Sequence, residues 1–105
     1  MSSAVNELRA EVAAAILLIE QCEYPQGADW FREKDQVLRA PDVDGSHLAT
    51  AGLLAASAAG MGRPLEVVNP TLESGLSREE ATRRRDAIIE SMWRIWQRMA
   101  AEAKS

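Results

Sequence analysis

The segment that begins at Ser77 constrains this chain most. Ser77 is followed three residues later by Glu80, the spacing of a capping box, and Glu79 and Glu80 both fall in the first turn, where the helix dipole favours anions. The pattern predicts a helix from Arg78 to about Ala103. Ile88, Met92, Ile95 and Met99 recur along one stripe of that helix, and Ile89, Trp93, Trp96 and Ala100 along the next, giving an apolar arc of roughly 160°. Arg83, Arg94, Gln97 and Arg98 take the opposite side. One neighbouring helix does not cover an arc this wide.

Three further helices are expected to supply the cover. Residues 3–22 place Val5, Leu8, Val12, Ala15, Ile16 and Ile19 at three- and four-residue spacing, with Ser3 as the expected N-cap, and Leu17 and Leu18 widen the face near its end. Tyr24-Pro25-Gln26-Gly27 stops that helix. A second helix is expected over Ala28–Arg39, with Asp29 near its start and Trp30, Phe31, Val37 and Leu38 as its apolar contacts. Residues 40–45 read as a linker, after which Ser46 or Asp44 can cap a third helix from His47 to about Met61. That helix combines Leu48, Leu53 and Leu54 with small residues, among them Ala51, Gly52, Ala55, Ala58, Ala59 and Gly62, so a neighbour can approach its backbone closely. Gly60 to Pro64 ends it, and 65–75 is an irregular connector whose Val67, Val68 and Leu72 are expected to tuck under the bundle. The fold class is therefore all-α, a small bundle of about four helices in one domain with the C-terminal helix longest.

Composition agrees with helix, since Ala occupies 18 of 105 positions and only five residues are aromatic, whereas strands favour β-branched and aromatic side chains. The ratio of ten Arg to two Lys suggests a bacterial source. A net charge of −4 speaks against a broad grip on nucleic acid or an anionic membrane. Charge is uneven, with nine acids and four bases in residues 1–53 and seven acids and eight bases in residues 54–105, so an anion-seeking surface would be local to the second half. The lone Cys22, together with an N-terminus lacking a basic and then apolar leader, places the expected protein in the cytoplasm; no stretch reaches the ~20 apolar residues of a membrane span.

Few chemistries can be assembled from these residues. The single histidine, His47, has no glutamate three positions before it, which a paired Glu-x-x-His carboxylate metal site requires. In the calcium-loop register suggested by Asp42-Val43-Asp44-Gly45, the first and twelfth positions are Ala40 and Ala51, so both essential carboxylates are missing. Ser46 and Cys22 lack a base placed to activate them, and Gly60-Met61-Gly62 lacks the lysine of a phosphate loop. No catalytic residue, metal or cofactor is expected. Arg83-Arg84-Arg85 is the only basic cluster, readable as a contact for an anion or nucleic acid or as a solvated face neutralised by Glu79, Glu80 and Asp86. Two tryptophans on one arc are readable either as core buried within one chain or as part of a subunit or partner interface, since Trp and Met are enriched where proteins meet. The expected function is a non-enzymatic interaction module, regulatory, adaptor or accessory and of phage or mobile-element type, that binds another protein or itself as a homodimer through Ile89, Met92, Trp93, Trp96 and Met99. A nucleic-acid regulator using Arg83–Arg85 is the alternative, and an enzyme or metal protein the third.

Overall fold

In a computed structural model that describes residues 3–57 and 63–104, the chain forms four α-helices: α1 (Ser3–Glu20), α2 (Ala28–Arg39), α3 (Ser46–Ser57) and α4 (Arg78–Lys104). The helices pack as a closed ring, α1 on α2, α2 on α3, α3 on α4 and α4 back on α1, and among the described residues there is no strand. The architecture is all-α and bundle-like. At 27 residues α4 is the longest helix, about 40 Å at 1.5 Å per residue, and it accounts for most of the 47 Å length of a molecule only 24 by 21 Å across.

The four elements share one core. Val5, Leu8, Val12, Ala15 and Ile19 of α1 are buried as their spacing implies, joined by Ala4 and Leu18. Leu17 departs from expectation. It is largely exposed, because at about 100° per residue it falls on the side of α1 opposite the stripe that packs on α2 and α4. Phe31 and Leu38 anchor α2, while Trp30 stays partly buried with its ring edge-on to Phe31 at 4.9 Å. Ala51, Leu54 and Ala55 bury the inner side of α3, and Ala81, Ile88, Met92, Ile95 and Met99 bury that of α4. Three ion pairs lace the helices: Arg9 with Asp35 at 3.0 Å and Arg32 with Glu20 at 2.6 Å join α1 to α2 in antiparallel order, and Arg98 with Glu7 joins α4 to α1. All of these are partly exposed, so each adds at most about 1 kcal/mol.

Helix ends show local chemistry prevailing over periodicity. Ser3 is already helical rather than capping α1. Instead of reaching residue 22, α1 stops at Glu20, because the amides of Gln21 and Cys22 bond three residues back to the carbonyls of Leu18 and Ile19. The chain there pairs with the connector: Glu23 N–H donates to Asn69 O at 3.0 Å and Thr71 N–H to Gln21 O at 2.9 Å. That pairing fixes the connector's orientation. Leu65 and Val68 are buried, whereas Val67 and Leu72, both expected inside, are exposed. Val67 and Val68 are neighbours in non-helical chain and must point apart, and Leu72 opens a short 3-10 turn, Leu72–Ser74, on the surface. At α4 the cap forms as expected, with Glu80 N–H donating to Ser77 Oγ at 3.0 Å. The expected continuation of α3 beyond Ser57, with Ala58, Ala59, Gly60, Met61 and Gly62, lies outside the described residues.

Candidate functional site

The wide apolar arc of α4 divides in two. Its first stripe, Ile88, Met92, Ile95 and Met99, is buried between α1 and α3, and Met92 has no exposed surface. Met92 and Met99 are therefore core residues, which corrects their expected place in a partner-binding surface: two helices, not one, cover this side. The second stripe is only half covered. Ile89 and Trp96 pack against the core as partly buried residues, while Trp93 keeps 40% of its surface in solvent. Trp96 reaches α3 at Gly52, where a side-chain Cβ would stand 3.1 Å from its Nε1. The glycine within the small-residue run thus provides the seat of an indole. Trp93 then packs edge-on against Trp96, ring centroids 5.4 Å apart at 79°. Leu53, next to Gly52 on α3, is half exposed. Of the expected interface, Trp93 is the residue left open, with the exposed Glu90 one turn before it and Arg94 adjacent in the chain, themselves a loose pair at 3.9 Å.

The basic cluster is occupied locally. Arg83 and Arg84 both engage the Glu80 carboxylate, at 3.2 and 3.3 Å, and Arg85 bonds Asp86 and the Glu66 carbonyl. Glu80 is thereby turned toward the arginines. The geometry matches the neutralised face more closely than an open anion seat.

A cleft lies where the first turn of α1, the α2–α3 linker and the last turns of α4 meet. The cleft there measures about 600 Å³, with Val5, Pro41, Leu48 and Met99 among its walls. Here the cap of α3 differs from expectation: neither Asp44 nor Ser46 caps it. Asp42 Oδ1 accepts from the His47 amide at 3.0 Å and from the Ser46 hydroxyl at 3.2 Å. Asp44 and Gly45 instead adopt left-handed backbone, φ 51° and 75°, closing a turn in which Ser46 N–H donates to Val43 O. This turn carries the Asp42 carboxylate back to the helix it caps. The bond from the His47 amide holds the Asp42 carboxyl below the ordinary carboxylate range. His47 itself is buried and spans the linker, its Nε2 2.8 Å from Ala40 O at the end of α2. The pairing of Asp42 with His47 was invisible in the sequence as a site, because it depends on the left-handed turn between them; an acid five residues before a helix-opening histidine was its one trace.

Cys22 is buried, its thiol donating to Leu18 O at 3.3 Å. Burial pushes its pKa up, opposed by the Asn69 backbone and reinforced by the Glu23 charge, an environment that keeps the sulfur in its unreactive form. Among the described residues no three His, Cys, Asp or Glu side chains converge to hold a metal ion, and no helix is long and apolar enough to cross a membrane. The chain matches no family model, no curated protein and no solved structure with which it was compared.

Proposed function

We propose that the chain is a small non-enzymatic interaction module that associates with a second copy of itself through the exposed face of α4 around Trp93. The observation that carries this reading is the indole left 40% exposed midway along the longest helix, braced from behind by Trp96 on Gly52. A braced aromatic loses little side-chain entropy on being covered, which is what makes tryptophan effective at interfaces.

Charge favours a copy of the same chain as the occupant. Two α4 helices laid antiparallel across their Trp93 faces, with the two-fold axis level with position 92, bring Glu90 opposite Arg94 of the partner subunit, and by symmetry Arg94 opposite Glu90 of the partner subunit. The same register brings the two Trp93 rings together at the centre. Covering the exposed part of each indole, about 100 Å², contributes on the order of 2 kcal/mol per copy at ~25 cal/mol per Å². A face of this size falls short of the roughly 1,200 Å² of stable assemblies, so association is weak, with a Kd of about 10 μM to 1 mM.

Sedimentation velocity across that concentration range tests the proposal. Wild type shifts from monomer toward dimer as concentration rises, Trp93→Ala stays monomeric, Glu90→Arg and Arg94→Glu each weaken association, and the double reversal restores it. A wild type that sediments as a monomer throughout, or a Trp93→Ala variant that associates unchanged, overturns it.

A further inference from the structure

The cleft at His47 sets two hydrogen-bond acceptors beside each other. A carbonyl oxygen only accepts, so the 2.8 Å contact to Ala40 O requires the hydrogen on His47 Nε2. The neutral ring therefore carries its lone pair on Nδ1. Asp42 Oδ2 lies 3.9 Å from Nδ1, which is too far for a hydrogen bond, and it is likewise an acceptor. The His47 side chain is 10% exposed and that of Asp42 about half exposed, so in the free protein solvent in the cleft reaches both acceptors. Both atoms belong to residues lining the 600 Å³ cleft, a volume within the ~300–1,000 Å³ range of small-molecule sites.

Two acceptors this far apart select the group that bridges them. An atom about 2 Å to the side of the midpoint between Nδ1 and Oδ2 reaches each at about 2.8–3.0 Å, provided it has at least two hydrogens to donate. A protonated primary amine has three. Its charge also suits the Asp42 carboxylate, while Glu102, on the same lining and engaged in its own contact, adds a second negative charge against the single positive charge of Arg39. Beyond the polar pair the walls are apolar: Val5 from α1, Leu48 from α3 and Met99 from α4. A bare ammonium ion or a water molecule meets the acceptors and leaves those walls wet. We infer that this cleft is a binding site for a small primary ammonium ligand carrying a compact apolar body, its nitrogen bridging His47 Nδ1 and Asp42 Oδ2. This site lies away from the Trp93 face and does not depend on self-association.

Protein NMR titration at pH 8 with 2-phenylethylammonium tests the inference, with 3-phenylpropionate matching its apolar body and ammonium chloride matching its charge. The amine shifts the resonances of His47, Leu48 and Met99 at millimolar concentration, whereas each control needs at least tenfold more to do so. Asp42→Asn retains a side-chain oxygen to accept from the His47 amide, so α3 stays capped, yet amine binding falls at least tenfold. Ala103→Trp, at an exposed position on the cleft wall, fills the space without touching either polar atom and abolishes the shifts while leaving the helical circular dichroism intact. Equal binding of the carboxylate, an undiminished response in Asp42→Asn, or no response of wild type at 20-fold the expected millimolar range overturns the inference.

Discussion

Gly52 offers the sharpest test of how α3 and α4 are fitted together. A glycine inside an exposed helix costs roughly 1 kcal/mol relative to alanine, so on propensity alone Gly52→Ala stabilises the protein by about that amount. The added Cβ, however, would stand 3.1 Å from Trp96 Nε1, 3.6 Å from Cδ1 and 3.7 Å from Cε2. The first distance is some tenths of an ångström too short, and the indole is held from behind by Trp93, so it yields only by moving both rings. We expect the two effects to offset, leaving Gly52→Ala within about 0.5 kcal/mol of wild type. Valine separates them. Its helix propensity recovers only some 0.3–0.5 kcal/mol of the glycine deficit, while its two further methyl groups drive into the indole seat at an overpacking cost of roughly 1–3 kcal/mol. Gly52→Val should thus lose about 1–2 kcal/mol, read as a lower urea midpoint by circular dichroism at 222 nm and a fall of some 5–12 °C in Tm, with altered tryptophan fluorescence. A Gly52→Val protein as stable as Gly52→Ala would refute the seat of Trp96 on α3.

Two other outcomes follow from the same structure. Met92→Ala, at a position with no exposed surface between α1 and α3, should cost about 2–5 kcal/mol of stability in urea unfolding and leave the concentration dependence of sedimentation unchanged where the variant is folded; a stability loss under 1 kcal/mol contradicts its core placement. Asp42, whose folded pKa is depressed first by the His47 amide, contributes stability that is fully present above its unfolded value near 3.9 and is lost as pH falls through the lower folded value. Urea midpoints of wild type and Asp42→Asn between pH 7 and pH 2 should accordingly converge or cross at the acid end, and parallel curves would remove the cap from the account.

Much of the architecture is local, and for that reason was legible in the residues. Ala28–Arg39 begins and ends where its acid, aromatics and flanking glycine place it, and the Ser77–Glu80 cap forms because its donor and acceptor lie three residues apart in any helix that starts there. The buried stripes of α1 and α4 follow from a period of 3.6 residues, which needs no knowledge of neighbours. How much of an apolar arc is covered is a different quantity. It depends on the number and direction of the helices that arrive, so periodicity alone could not distinguish Met92, sealed between two helices, from Trp93, left open one residue later. Nor could spacing show that Gly52 receives Trp96, since the 43 intervening residues must first fold back. The connector is a further case, where pairing of Gln21 and Glu23 with Asn69 and Thr71 turned Val67 outward against its hydrophobicity. The His47 cleft was likewise decided by tertiary structure: a left-handed turn at Asp44 and Gly45 brings Asp42 back to the start of α3, and α1 and α4 supply the walls. Sequence thus determined which faces are apolar and where helices start, because those depend on near neighbours along the chain; coverage, seats and clefts awaited the packing, because they depend on residues that only the fold brings near.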